Sequence, residues 1–304
     1  MRSITLIAGP TASGKSRHAL ALAERSGAHI VNADAMQVYD VLRIVTARPD
    51  GRALTRVPHH LYGHVSPAVA YSTGRWARDV AALLADLPAD LPLVFVGGTG
   101  LYFRALTEGL SPIPHVPADL RARWRATLAE RGAPALHALL ASRDPGVAAT
   151  LEPGDGQRIV RALEVLEATG RSIAQWQSRA GTAVIDRAAI ATRHLLLPER
   201  SELHRRIAAR AAAMIESGGI EEVQRLRAMR LDPNLPAMKA IGVRELGSLA
   251  DGHIDRTEAL ARLTASTRQY AKRQMSWWRN QGGSDWQVVM AGEPPTASSP
   301  PCPG

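Results

Sequence analysis

Gly9-Pro10-Thr11-Ala12-Ser13-Gly14-Lys15-Ser16 fits G-x-x-x-x-G-K-[ST], and each part of that pattern has a task at a phosphate. Glycines let successive amides turn inward on an anion, and the helix start that follows adds partial positive charge. Lys15 reaches a terminal phosphate, and the Ser16 hydroxyl can hold a magnesium ion. The pattern sits between residues 3–8, which read as a short buried strand, and a helical stretch over residues 17–25. This is the context the motif requires, so the loop is expected to bind a di- or triphosphate. The motif does not say which compound is bound or whether a phosphoryl group moves. A nucleotide hydrolase usually places a second acid at the end of an apolar strand to hold magnesium. The strand Leu93-Val94-Phe95-Val96 runs instead into Gly97-Gly98-Thr99-Gly100, while an acid, Asp34, follows the strand His29-Ile30-Val31. Three roles stay open for Asp34 at this point: magnesium ligand, general base, or helix N-cap.

The elements that must position these residues alternate as strand, loop and helix from residue 3 to about 106. That order predicts an α/β fold with a parallel sheet, in which ligands collect at the carboxyl ends of strands. Residues 118–131, 133–142 and 156–169 read as amphipathic helices separated by Gly and Pro, which marks a helical insertion. The apolar run His194-Leu195-Leu196-Leu197 returns to the sheet, and helices are predicted over 200–217, 220–229, 245–251 and 256–280. The expected organisation is a P-loop-type core of residues 1–112 and 194–290, a helical insertion of residues 113–193, and a Pro- and Ser-rich disordered tail of residues 291–304. There is no internal repeat.

With 304 residues, 45% hydrophobic and 21% charged, the chain can bury a sizeable core, which excludes wholesale disorder. No run approaches the roughly 18 apolar residues that span a bilayer, so a cytoplasmic protein without a cleaved signal is expected. The single cysteine, Cys302, excludes an intrachain disulfide and a cysteine-based metal site. His59-His60 has the look of a ligand pair, yet without acidic or cysteine partners it reads as structural. The net charge of +9 points to a polyanionic partner. Lys occurs only at positions 15, 239 and 272 among 37 basic residues, so these three positions stand out. Residues 200–280 carry 15 basic against 9 acidic side chains. Within them, residues 267–279 interleave cations with aromatics on a predicted helix, a pattern that suits single-stranded RNA. Taken alone, the same helix also reads as a solvated face whose Trp residues belong to a core.

Together, several segments resemble the tRNA dimethylallyltransferase family. They are the phosphate loop, Asn32-Ala33-Asp34-Ala35-Met36-Gln37-Val38-Tyr39, Thr46-Ala47-Arg48-Pro49, Pro58-His59-His60-Leu61, Tyr71-Ser72 and Val96-Gly97-Gly98-Thr99-Gly100-Leu101-Tyr102. Gln157-Arg158-Ile159-Val160-Arg161-Ala162-Leu163-Glu164-Val165, Ala240-Ile241-Gly242 and the basic aromatic helix follow in order. The resemblance implies transfer of a dimethylallyl group from its diphosphate to N6 of the adenosine 3′ of a tRNA anticodon. Diphosphate would leave from the loop formed by Gly9, Pro10, Thr11, Ala12, Ser13, Gly14, Lys15 and Ser16, with Mg2+ held at Ser16. Asp34 matches the general base, Thr99 the threonine beside the reacting centre, and Lys15 a catalytic cation; Arg206 and Arg210 are candidates for closing over the diphosphate. Asp34, Ala35, Met36, Gln37, Thr99, Arg121, Gln157, Arg158, Ile159, Val160, Arg161, Lys239, Arg244, Lys272, Arg273, Gln274, Trp277 and Arg279 match family segments that contact RNA. The family also implies a monomer that takes the anticodon stem-loop and dimethylallyl diphosphate.

Three residues near Asp34 depart from the usual family pattern: Ala35 replaces a common serine, Val45 a glycine and Arg48 a lysine. Val45 cannot take a positive φ as glycine does, so these changes are expected to tune the site. Competing readings are a prenyltransferase for free adenine nucleotide, a small-molecule kinase, and a tRNA-binding module that has lost its chemistry.

Overall fold

The computed structural model describes residues 2–290, so the expected disordered tail and Cys302 lie outside the described residues. Six strands, β1 (Ile4–Ala8), β2 (His29–Asn32), β3 (His59–His60), β4 (Leu93–Gly97), β5 (Ile190–Leu196) and β6 (Gln287–Val289), form one parallel sheet in the order β3-β2-β4-β1-β5-β6. Strand β4 is buried along its whole length, and β1 has one partly exposed residue. Near-continuous apolar runs of this kind mark strands covered on both faces. The α/β fold with a P-loop-type sheet core and an inserted helical part is therefore as expected.

Helices in the first third are α1 (Lys15–Ser26), α2 (Gly51–Arg56), α3 (Thr73–Asp86) and α4 (Gly100–Thr107). The insertion holds α5 (Ala118–Arg143), α6 (Pro145–Ala148), α7 (Gly156–Thr169) and α8 (Ile173–Gln177). The last third holds α9 (Arg200–Glu216), α10 (Gly219–Ala228), α11 (Val243–Ala250) and α12 (Arg256–Gln281). Most helices of more than one turn start from a side-chain cap, such as Ser72 on the Arg75 amide or Asp255 on the Glu258 amide. Helix α1 starts instead from Gly14 in the left-handed region, φ 91°, with no side-chain cap. Its first amides are left for another acceptor.

The described chain divides into two units, one made of the segments up to Thr107 and from Val184 onward, the other Glu108–Ala183. The insertion is thus shorter than the expected 113–193. Residues 184–193 belong to the sheet unit because the Val184 and Ile185 amides donate to the Leu106 carbonyl and β5 begins at Ile190 beside Ile4. Within the inserted unit, α5 is interrupted at Gly132 (φ 74°), where the sequence predicted a break between two helices. Leu136, Leu140, Ile159, Leu163 and Val165 form its core.

Two short edge strands were not legible in the sequence. β3 pairs with β2, and this pairing sets His60 against His29 with Nε2 and Nδ1 2.9 Å apart. His59 donates through Nδ1 to the Val57 carbonyl. Each of the two adjacent histidines thus has a partner within the protein, and no group of three His, Cys, Asp or Glu side chains suited to a metal occurs among the described residues. No described helix is long and apolar enough to cross a membrane.

Candidate active site

The sheet order explains how Asp34 and Thr99, 65 positions apart in the chain, become neighbours. β4 lies between β2 and β1, with Ala8 level with Gly97 and Asn32 level with Val96, so three loops leave one sheet edge side by side. Gly97 permits the closest approach: a Cβ there would stand 1.9 Å from the Ala33 carbonyl oxygen. The Ala33 amide donates to the Val96 carbonyl at 2.8 Å, and the Ala35 amide to the Thr99 hydroxyl at 3.0 Å. Asp34 is held by a tight turn in which its amide donates to Asn32 Oδ1 and its own Oδ1 accepts the Met36 amide. No helix begins there, so the N-cap role is excluded. Asn32, fully buried, donates through Nδ2 to the carbonyls of Asp34 and Leu61. It is a positioning residue that motif reading passed over.

Across the sheet edge, the phosphate loop bends through Ala12 (φ 63°) and Gly14. Lys15 is buried and donates to the Pro10 carbonyl at 3.2 Å. Burial pulls its pKa from 10.5 to about 8, Asp34 opposes that fall, and Arg210 adds to it. The Ser13 hydroxyl is buried with no hydrogen-bond partner, an orphaned donor inside the loop. Arg206 donates to the Ser13 carbonyl at 3.1 Å and Arg210 to the Thr11 hydroxyl at 2.7 Å. Both arginines touch the loop and are not free surface cations. Ser16 is exposed beside the loop, at the start of α1.

A cavity of about 300 Å³ opens between these groups. Thr11, Lys15 and Arg210 make a polar end, Asp34 and Thr99 stand in one wall, and Val45, Met214, Ala240 and Ile241 supply an apolar surface. Lys239, Arg273 and Tyr270 also line it. Met214 and Tyr270 were not singled out from the sequence, although a signal existed, whereas Val45 and the Ala240-Ile241 segment had been named there. Arg206, Arg210 and Met214 recur every four residues on α9, and Thr267, Tyr270 and Gln274 follow helical spacing on α12.

The predicted RNA contacts fall into distinct groups. Lys272, Arg273, Arg279 and Arg244 are exposed, as are Gln157 and Arg158 in the inserted unit; Arg121 and Arg161 are partly exposed there. Ala35, Met36, Gln37 and Lys239 face the cavity, although Gln37 already donates to the Thr46 carbonyl. Three side chains are corrected. Ile159 and Val160 are buried in the core of the inserted unit because they lie on the apolar face of α7. Gln274 is 6% exposed, and both ends of its amide are taken. It accepts the Thr11 amide at 2.8 Å and donates to the Gly98 carbonyl at 2.8 Å, so it clamps the phosphate loop to the loop that carries Thr99. Trp277 packs on α4 so closely that a Cβ at Gly100 would lie 2.0 Å from its ring. Trp278 is buried against Phe103 and Trp286, as the core reading of this helix had it.

Gln274→Leu should accordingly be destabilised by about 2–4 kcal/mol, because a buried donor and a buried acceptor lose their partners. A shift of the urea midpoint at constant slope checks this. An unshifted midpoint would refute the clamp.

The departures from the family pattern are accommodated. Val45 keeps a negative φ. Its amide and that of Ile44 donate to the Glu222 carboxylate at 3.0 and 2.7 Å, which fixes this loop from α10. Arg48 donates to the Tyr39 carbonyl at 2.7 Å with its guanidinium against Gly63.

A phosphate loop, a carboxylate and a hydroxyl at the carboxyl ends of adjacent parallel strands define a P-loop-fold group-transfer enzyme. The model of the IPP transferase family matches residues 37–281, and that of isopentenyl transferase residues 2–59. A tRNA dimethylallyltransferase of Agrobacterium fabrum is 55% identical over 287 residues, covering 94% of this chain and 96% of that protein. The solved structure of the full-length tRNA isopentenylpyrophosphate transferase of Bacillus halodurans is 30% identical with a TM-score of 0.64, covering 96% of this chain and 92% of that one. A eukaryotic dimethylallyltransferase acting on tRNA shares the fold at TM-score 0.77 and 24% identity, covering 96% and 74%. The chain belongs to the IPP transferase family, the tRNA dimethylallyltransferases, and is a prenyl-transferring enzyme.

Proposed function

We propose that the protein transfers the dimethylallyl group of dimethylallyl diphosphate to N6 of the adenosine immediately 3′ of a tRNA anticodon, tRNA position 37. The observation that carries this reading is the composition of the single cavity shared by Lys15, Asp34 and Arg273. Its polar end suits a diphosphate and its apolar wall a short hydrocarbon. The exposed cations of α12 suit the RNA backbone.

An exocyclic adenine nitrogen is a poor nucleophile, because its lone pair is delocalised into the ring. Asp34, anchored by the Met36 amide through one oxygen, takes the N6 proton. Thr99 holds the turn that carries Asp34 through the Ala35 amide and presents its hydroxyl to the reacting centre. Lys15, Arg210 and the uncapped amides of α1 stabilise the charge that builds on the departing diphosphate. Arg206 braces the loop from the Ser13 carbonyl. A target adenosine stacked in a loop must leave its stack to reach the cavity.

Mg2+ fits the donors present: the Ser16 hydroxyl is a hard oxygen ligand at the loop, and magnesium is usually held by few protein oxygens together with substrate phosphates. When bound it would neutralise diphosphate charge. Lys239, Arg244, Lys272, Arg273 and Arg279, with Arg121, Arg158 and Arg161 of the inserted unit, are the side chains we assign to the anticodon stem-loop.

The test is incubation with unmodified tRNA, dimethylallyl diphosphate and Mg2+, then nucleoside mass spectrometry, with AMP as a parallel acceptor. N6-dimethylallyladenosine in the tRNA alone is the expected result. Modified AMP would replace the reading with a free-nucleotide enzyme, and RNA binding without product would replace it with a binding module.

A further inference from the structure

Arg206, Arg210 and Met214 succeed one another at one-turn spacing on α9, and this stripe changes from charged to apolar as it leaves the phosphate loop. Arg206 donates to the Ser13 carbonyl and Arg210 to the Thr11 hydroxyl, so the first two turns have a fixed place at the loop. Arg210 also reaches the Val45 carbonyl at 3.5 Å, which brings Val45 to the same turn from the opposite wall. Met214 stands one turn beyond, about 6 Å along the helix axis. A long side chain on a helix leans back over the turn before its own Cα, so the Met214 thioether covers the turn that starts at Arg210. The helix cannot shift to make room. A Cβ at Gly219 would stand 2.3 Å from the Met214 carbonyl oxygen, so the end of α9 is packed directly on the start of α10.

The two sides of the cavity differ in access. Val45, Met214 and Ala240 are buried, whereas Lys239 and Arg273 are exposed. One side is thus closed and apolar, the other open and cationic. An RNA base arrives from the open side. The hydrocarbon of a prenyl diphosphate is covalently joined to the phosphates, so its first carbon lies beside Lys15 and Arg210 and its tail runs into the closed side. The longest carbon run of a dimethylallyl group is three bonds of roughly 1.5 Å each, which ends within one helical turn of Arg210. A second isoprene unit lengthens that run by about 6 Å at most, and this is the step of helix that Met214 occupies.

We propose that Met214 is a specificity-determining residue that closes the hydrocarbon side of the cavity one turn beyond Arg210 and limits the donor to a single isoprene unit. This rests on the prenyl-transfer reading above. The same bonds break and form with a longer allylic diphosphate, so discrimination against it lies in the fit of the tail.

The experiment offers unmodified tRNA and Mg2+ an equimolar mixture of dimethylallyl and geranyl diphosphate and measures both N6-prenyladenosines by nucleoside mass spectrometry. Their ratio reports relative kcat/KM for the two donors. Wild type is expected to give a geranyl-to-dimethylallyl ratio below about 0.01, and Met214→Ala to raise it by roughly 10- to 100-fold. Affinities for tRNA and for inorganic diphosphate, neither of which has a tail, should stay within about threefold. A ratio unchanged in Met214→Ala overturns the proposal, and so does a wild type that transfers geranyl as readily as dimethylallyl. A raised ratio with joint loss of diphosphate and tRNA binding also overturns it, because that marks general loosening of the fold. If Met214→Ala does not fold, Met214→Val, which shortens the side chain and keeps it apolar, must raise the ratio in the same direction. A wild-type protein that forms no prenyladenosine from either donor overturns the prenyl-transfer reading and this inference with it. An active wild type whose variants keep its ratio overturns this inference alone.

Discussion

Asp34→Asn is expected to slow prenyl transfer by about 10²- to 10⁴-fold while tRNA still binds, the usual range for loss of a positioned general base. The substitution is nearly isosteric, and its carbonyl oxygen can still accept the Met36 amide, so the turn survives. What disappears is the basicity that takes the N6 proton. A second effect accompanies it. Asp34 is the group that supports the charge of Lys15 against burial and against Arg210. Without it the Lys15 ammonium should titrate below its present value of about 8, and diphosphate should bind less tightly near neutrality. Single-turnover product formation by nucleoside mass spectrometry, beside tRNA affinity by filter binding, separates the two effects. A rate within threefold of wild type would remove Asp34 as the base.

Lys15→Ala carries the second large effect, a loss of about 10²- to 10³-fold in kcat/KM for dimethylallyl diphosphate, as when one charge-stabilising donor is removed. The pH dependence is the sharper diagnostic. In the free protein the Lys15 charge is present below pH 8 and lost as pH rises through about 8, so diphosphate affinity should decline there. In Lys15→Ala that decline should vanish. Stability runs the other way. Between about pH 8 and 10.5 the unfolded chain holds the Lys15 proton and the folded chain does not, so the free protein gains stability as pH rises through that window. The gain approaches about 3 kcal/mol when the full difference is realised. Urea unfolding at pH 7.5 and 10, with Lys15→Met as reference, measures it. Equal gains in both proteins would show that Lys15 is not the group responsible.

How much of this was legible in the sequence follows from the range of the interactions. The phosphate loop was readable because its chemistry is done by eight consecutive residues between a strand and a helix. The long helices were readable from their periodicity, including the break at Gly132. The closeness of Asp34 and Thr99 depends on β4 entering between β1 and β2, which no local pattern encodes. Strands β3 and β6 are two and three residues long, only partly buried, and paired on one side, so neighbours rather than their own sequence make them strands. Gln274 was misassigned for a similar reason. It sits among exposed cations in the sequence, yet the turn of the helix carries it from their solvent-exposed side to the phosphate loop. Arg206 and Arg210 could not be told from surface cations until α9 was seen to lie against the loop that they brace.

The clamp between Thr11 and Gln274 has a consequence for synthesis on the ribosome. The phosphate loop is among the first segments to emerge, yet β5, which flanks it, and α12, which fastens it, come some 180 and 260 residues later. Until then β1 can pair with β4 but has an open edge towards β5, and the loop lacks its buried amide partner. Nascent chains halted before α12 should therefore be unable to retain diphosphate, however complete their first hundred residues are. Pairings this distant in sequence also make folding slow, and an unpaired strand edge is the usual site of misassociation while it waits. The fold thereby ties the competence of its first sixteen residues to delivery of nearly the whole chain, so that truncated products do not sequester the prenyl donor.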